Sequence, residues 1–444
     1  MKQIIFSAAI TVTTLIAMAQ TDVNKRSANY EAANWQTVLL EKPQQILIAA
    51  PPSLNQSKTE LSVLKQRMQK LDATKRSAIT HWNAGAPSFR WNQIAPQLVS
   101  YKRPDIIVRM PLAWMNLAIY DATILAWKEK LKYKRKRPQE LESSIKPVIN
   151  GPSTYSYPCE HSVTAAAAAT VLAYFYPEKA DSILTMAHNA AQSRIDAGVQ
   201  FPSDVEAGWK LGVQVAKQII ESAKNDRSTA VSDAKINKDP KKWTGNYAFG
   251  VNVPLFKPMI IRSADQFRPL PPPDFETDMN EVKNFKPTLS TNSLAHTWDN
   301  RGPEFWVDLA GQKMFEYRIS EDAPAAARIY TVLSTAMHDG VIAIMDAKYA
   351  YWGTRPDQYD TTFKPLLNTP PFPGYPSGHA AGAAEASAIL SYFFPADEKQ
   401  FQQLAQDCAD SRFYGGIHFR TDNEVALQFG KKMGSYIVET WMKK

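Results

Sequence analysis

The sequence predicts an all-α protein built of two packed helical bundles that derive from an internal duplication. Three observations predict it. A constant shift of 218 residues brings the halves into register: Lys130 falls on Lys348, Arg137-Pro138 on Arg355-Pro356, Tyr157-Pro158 on Tyr375-Pro376, His161 on His379, Ser193-Arg194 on Ser411-Arg412 and Asp204 on Asp422. No gap is needed from 121 to 212, and so many identities in one register mark a duplicated unit of about 140 residues. Apolar residues recur at helical spacing in both copies. Strand-like alternation is scarce, which leaves helix-on-helix packing as the way to bury the apolar faces.

Each copy supplies three main helices. Residues 113–130 and 326–351 carry the long apolar periodicity. Residues 162–176 and 380–394 are rich in Ala, the best helix former, and are stopped by Pro177 and Pro395. Residues 204–222 and 422–442 read as closing helices, each opened by an aspartate. Between the copies, 227–295 holds Pro240, Pro254, Pro258, Pro269 and a proline run at 271–273, and is expected to be an irregular, ordered connection that walls the second pocket. The divisions are therefore 1–19 leader, 20–75 helical decoration, 76–226 first bundle with a degenerate site, 227–295 connection, and 296–444 second bundle with the active site.

The leader is Met1-Lys2-Gln3, an apolar stretch from 4 to 18, and the small-residue site Ala17-Met18-Ala19, with cleavage expected before Gln20. No cysteine follows that could take a lipid, so release into a periplasm-like space is the expectation. No later segment has the length of a membrane span. A net charge of +8 on 444 residues suits small anionic ligands and is too diffuse to point to nucleic acid. The basic run from 128 to 137 reads as a solvated helix end. Cys159 and Cys408 sit at non-matching places in the two copies and are expected to be free thiols.

Chemistry concentrates in three blocks of the second copy. They are Lys348 to Pro356, Pro370 to His379, and Ser411 to Asp422. Lys348, Arg355 and Arg412 are three cations rich in donors, and arginine forks suit planar and tetrahedral oxyanions. Ser377-Gly378-His379 precedes an Ala-rich helix, so backbone can approach an anion and free amides of the helix start can face it. Of the two histidines, one can bond the central atom and the other can move a proton. Asp422 lies four residues after His418, within reach of its imidazole on a helix. His81, His188, His296 and His338 read as ordinary core or surface residues.

These blocks resemble the type 2 phosphatidic acid phosphatase and vanadium haloperoxidase superfamily. Its pattern is Lys, six residues, Arg-Pro; then Pro-Ser-Gly-His; then Ser-Arg, five residues, His, three residues, Asp. The second copy matches every position, closely over 325–435, and the first matches in degraded form over 110–215. The resemblance implies a vanadium chloroperoxidase/acid phosphatase-like fold. It implies that Lys348, Arg355 and Arg412 hold equatorial oxygens with Ser377 and the Gly378 amide. It makes His418 the axial ligand of vanadate, or the nucleophile toward phosphorus, and His379 the acid–base group. In the first copy Pro158-Cys159-Glu160-His161 replaces Pro-Ser-Gly-His and Gln200 replaces His418, so that site is expected to be dead and its bundle structural.

The core pattern serves both chemistries. Similarity to haloperoxidases is seen in the paired bundles, in Phe372 on the halide side, and in Gly416-Ile-His418-Phe-Arg420-Thr-Asp422. Met345 weakens chloride use, because chloride-oxidising relatives place Trp there. Trp352, Phe372, Tyr375 and Met345 are candidates for a substrate channel, burial between helices being the other role open to them. The leading expectation is vanadate-dependent oxidation of halide by hydrogen peroxide. The alternative is a soluble acid phosphatase acting on phosphomonoesters through a phosphohistidine at His418, without cofactor. A non-catalytic oxyanion-binding protein comes third.

Overall fold

The computed structural model describes residues 29–40, 43–98, 105–151 and 153–443; the leader expected at 1–19 lies outside them. Helices α1 (Leu54–Gln69), α2 (Ala73–Trp82) and α3 (Phe89–Gln97) lead into the long α4 (Asp105–Tyr133). The one-turn α5 (Pro138–Leu141) is followed by α6 (Glu160–Phe175), α7 (Ala180–Asp196) and α8 (Pro202–Ala223). The second set is α9 (Glu276–Asn284), α10 (Leu289–Asp299), α11 (Glu304–Glu316), the long α12 (Ala323–Tyr351), the one-turn α13 (Pro356–Tyr359), α14 (Gly378–Phe393), α15 (Glu398–Tyr414) and α16 (Arg420–Met442). The described residues contain no strand.

The Ala-rich helices are central. α6 packs on α4, α7 and α8, and α14 packs on α12, α15 and α16. Small residues permit the closest approach. A Cβ at Gly212 would stand 2.4 Å from the Val163 carbonyl oxygen, and one at Gly430 2.1 Å from that of Ala381. The long helices α4 and α12 join the bundles. There the Asn116 amide donates to Ser334 Oγ at 3.3 Å, and Thr331 Oγ1 donates to the Asn116 carbonyl at 2.9 Å. Among the described residues no helix is long and apolar enough to cross a membrane.

Two buried aspartates on these helices do the same work. Asp121 accepts the consecutive amides of Val38, Leu39 and Leu40 at 2.8, 3.2 and 3.2 Å. Asp339 accepts those of Met259, Ile260 and Ile261 at 2.7, 2.7 and 2.9 Å. A carboxylate thus replaces the helical acceptors that an irregular strap lacks. Hence 29–40 and 43–53 are not helical decoration: apart from short 3-10 turns they run as an irregular arm, and helix begins at Leu54. The expected connection likewise contains α9 and the first part of α10. Cys159 and Cys408 are buried and unpaired.

Candidate active site

Helix ends assemble the second pocket. Lys348 sits in the last turn of α12, which Trp352 ends in the left-handed conformation (φ 52°). Arg355 caps α13, and Ser377 caps α14, its hydroxyl 3.5 Å from the Ala380 amide. Arg412 lies in the last turn of α15. A turn through Gly416 (φ 71°) then delivers His418 just before α16, where Asp422 accepts the Phe419 amide at 3.1 Å. The Ser377 amide donates to the Asp422 carbonyl at 3.0 Å, locking the start of α14 to that of α16.

The imidazole of His418 is 2% exposed residue-wide and is held at both nitrogens. Nδ1 lies 2.9 Å from Asp422 Oδ2, and Nε2 lies 3.0 Å from Arg355 Nη1. A carboxylate accepts and a guanidinium donates, so the proton sits on Nδ1 and Nε2 carries a lone pair. Lys348 Nζ donates to the carbonyls of Pro373 and Gly374 at 2.7 and 2.8 Å, which leaves its third N–H. Arg355 donates from Nη1 to the Ile417 carbonyl at 2.7 Å, whereas its Nη2 is buried without a partner. A Cβ built on Gly378 would meet only Lys348 Cε, at 3.9 Å, and one on Gly382 would meet nothing within 4 Å. An orphaned guanidinium nitrogen, a lysine N–H and a helix start beside open space form a donor set for an oxyanion, with the Arg355-bound imidazole of His418 next to them. Among the described residues no cluster of His, Cys, Asp or Glu suits a metal cation; an oxyanion site is built from cations instead.

Burial sets the electrostatics. It pushes His418 well below the usual histidine value of 6.5, and Arg355 and Lys348 add to the push, so the ring is neutral near pH 7. Burial and Arg355 likewise drive Lys348 well below 10.5. Asp422 is pushed up to about 7, burial outweighing the attraction of Lys348 and Arg355. Its Oδ1 is also buried and without a partner.

The structure brings together most of the sequence-predicted residues. His379 is exposed on the first turn of α14, near enough to His418 to act on its charge. Phe372 lies at the site, its ring 5.3 Å from both Lys348 Nζ and Arg355 Cζ. Arg412 is close, but its donors go to Ser411 Oγ at 3.0 Å, Asp299 Oδ1 at 3.3 Å and the Ala295 carbonyl at 2.9 Å. Two channel candidates take the other role left open to them. Met345 is buried in the main core, and Trp352 is buried against Trp243 and Tyr349, because the left-handed turn there directs the chain under the connecting segment. Tyr375 is buried, with its hydroxyl on the Leu270 carbonyl at 2.7 Å.

Sequence reasoning missed several supports. Phe249 faces Phe372 at 6.0 Å, and its amide donates to the Pro371 carbonyl at 3.1 Å. Asp278 of α9 accepts the Thr421 amide and hydroxyl at 2.9 and 3.1 Å. Asp299 anchors Arg412 as Asn83 anchors Arg194, at 3.0 Å. These partners fall outside the gap-free run: Asp278 keeps the 218-residue shift from Glu60, which accepts the Ser203 amide in the first copy, whereas Asp299 and Asn83 differ from it by two residues.

The first bundle carries the matching pocket in altered form. Glu160, at the place of Gly378, sends its carboxylate to Lys130 Nζ at 2.7 Å and Arg137 Nη2 at 3.1 Å. Burial alone would raise this carboxyl, but the two cations hold it far below the usual carboxylate range. The Gln200 amide accepts from Arg137 Nη1 at 2.8 Å and donates to Asp204 Oδ2 at 2.9 Å; the opposite orientation would set its oxygen against acceptors. The basic run is only half a solvated helix end. Lys128, Lys132, Lys134 and Lys136 are exposed, but Lys130, Arg135 and Arg137 are buried in ion pairs.

Two family models match: the PAP2 superfamily over residues 94–227 and the VCPO second helical-bundle domain over residues 398–444. The fold is similar to that of a bacterial vanadium-dependent iodoperoxidase, with a TM-score of 0.63 and 22% identity over 80% of this chain and 96% of that one. It is also similar to the holo and apo forms of a bacterial vanadium-dependent chloroperoxidase, each with a TM-score of 0.56 and 16% identity over 76% of this chain and 92% of that one. The chain is thus similar to the PAP2/vanadium-haloperoxidase superfamily in two stretches of sequence, and its fold is that of the bacterial vanadium haloperoxidases. No curated protein is significantly similar to it. The PAP2 match falls on the bundle with the altered pocket, so it reports the helical scaffold rather than the reactive residues.

Proposed function

We propose that the second bundle is a vanadate-dependent haloperoxidase site that oxidises halide with hydrogen peroxide. The observation that carries this reading is the buried His418 imidazole, its proton set on Nδ1 by Asp422 and its Nε2 held by Arg355, in a pocket where Arg355 Nη2 has no partner and Gly378 borders open space beside Lys348. Likeness to an iodoperoxidase and a chloroperoxidase over nearly their whole lengths supports peroxidase over phosphatase.

Vanadate, when bound, would supply Lewis-acid activation of peroxide without changing its oxidation state. The chain's own groups do the rest. Asp422 keeps the His418 proton on Nδ1, so Nε2 is the bonding atom. Arg355 Nη2, the third N–H of Lys348 and the Gly378 amide bind and orient oxygens. His379, exposed at the mouth, moves protons between the site and solvent. Phe372 and Phe249 form an apolar wall that excludes water on the side where halide approaches. Export to a periplasm-like space, argued from the leader, belongs to the same proposal.

The test loads the full chain with vanadate and follows iodide and bromide oxidation by hydrogen peroxide, beside phosphomonoester hydrolysis without vanadate. Vanadate-dependent iodide oxidation that disappears in His418→Ala is the expected result. Hydrolysis alone would turn the reading to an acid phosphatase. Neither activity, with phosphate binding unchanged in His418→Ala, would leave a binding protein.

A further inference from the structure

The first bundle keeps a complete cation cage that the proposed reaction does not use. Lys130 and Arg137 stand where Lys348 and Arg355 stand, and their backbone anchors match. Lys130 Nζ donates to the Tyr155 carbonyl at 2.5 Å, as Lys348 does to that of Pro373 at 2.7 Å. Arg137 donates to the Thr154 and Val199 carbonyls at 2.8 and 3.0 Å, as Arg355 does to those of Phe372 and Ile417 at 3.2 and 2.7 Å. Arg194 is tied to Ser193, Asn83 and the Ile79 carbonyl much as Arg412 is tied to Ser411, Asp299 and the Ala295 carbonyl.

We propose that this cage is an oxyanion site whose occupant is the chain's own Glu160 carboxylate, and that removing it opens the first bundle to a tetrahedral oxyanion such as inorganic phosphate. The carboxylate uses separate oxygens for Lys130 and Arg137, as an external oxyanion would. Its position at the first residue of α6 adds the favourable helix-start field. The matching residue in the second bundle is Gly378, beside open space. One side chain therefore separates a filled cage from an open one. Retaining Lys130 and Arg137 without a counter-ion would bury unpaired charge, which explains why the carboxylate is kept. Gln200 meets the hydrogen bonds of an imidazole but has no lone pair suited to bonding phosphorus or vanadium, so the opened site binds without turnover.

The inference rests on reading the second pocket as an oxyanion site, and the test separates the two. Phosphate stoichiometry is measured by equilibrium dialysis on the full chain, with thermal midpoints recorded in phosphate and in chloride of equal ionic strength. Wild type binds one phosphate, Glu160→Gly two, and Glu160→Gly/Gly378→Glu one. The midpoint of Glu160→Gly falls in chloride and recovers in phosphate. A folded Glu160→Gly that still binds one phosphate, with no midpoint gain, overturns the proposal. Should that variant not fold, Glu160→Ala refolded in phosphate replaces it, and failure of both to regain helix in phosphate overturns it equally. Wild type binding none while Glu160→Gly binds one would count against the proposed function and for the present inference.

Discussion

The two pockets share a scaffold and differ in how completely their polar atoms are satisfied. In the first, Glu160 neutralises Lys130 and Arg137, and Arg135 donates to Asp204 at 2.6 Å and to Glu60 at 2.8 Å. Every polar atom of Arg137 and Asp204 has a partner, and His161 Nε2 is the group left over. In the second, Gly378 replaces the glutamate and Gly353 replaces Arg135. Arg355 Nη2 and Asp422 Oδ1 are then buried without partners. Local dissatisfaction of this kind costs stability and survives where function needs it. The difference teaches that reactivity here needs both an added group, His418 in place of Gln200, and removal of the side chains that would silence the pocket.

Exchanging residues between the pockets tests this. The largest effect is expected for His418→Gln, which copies Gln200. Turnover should fall by at least about a thousandfold because the bonding nitrogen is gone. The thermal midpoint should barely move, since the amide makes both hydrogen bonds in the first pocket. Retained turnover in this variant would break the assignment of His418.

Next comes Gly378→Glu, which copies Glu160. A carboxylate between Lys348 and Arg355 should weaken phosphate or vanadate affinity by about 100-fold, on the order of 3 kcal/mol, as read by titration calorimetry. Unchanged affinity would mean that the space beside Gly378 is not where the anion sits.

The smallest effect is expected for Asp422→Asn. Loss of the carboxylate that orients His418 should cost about 10–100-fold in anion affinity. It should also change the pH dependence of stability. The folded state holds the Asp422 proton up to about 7, whereas an unfolded aspartate releases it near 3.8. That contribution is complete below 3.8, declines as pH rises and is lost through about 7. Urea unfolding from pH 4 to 8 should therefore show wild type losing stability relative to Asp422→Asn across this window. A constant difference would show that Asp422 is ionised throughout.

Much of the site was legible in the sequence because oxyanion chemistry constrains residue type and spacing together. Lys348, Arg355, Ser377, Gly378, His379, His418 and Asp422 lie on three short blocks, each at the end of a helix whose periodicity is strong. Helix starts shifted by two residues, from 162 to Glu160 and from 380 to Gly378, because the capping residue sets the boundary rather than the apolar pattern. Phe249 and Asp278 were not legible. They sit in a segment without periodicity, and nothing local tells that their partners lie more than a hundred residues away. From sequence alone Met345 and Trp352 are open to channel or core, and helix phase and a left-handed turn direct them into the protein.

Sequence alone determined the helical class, the two-copy register, the intact second motif and the glutamate and glutamine that alter the first. These depend on residue identity and spacing, which are one-dimensional. Tertiary structure decided which charges meet. It showed that Glu160 satisfies the first cage rather than merely repelling a ligand, and that Arg355 keeps an orphaned donor. It placed the Phe249 segment over Phe372. Those outcomes depend on which helix ends converge, and convergence is set by packing across the whole chain.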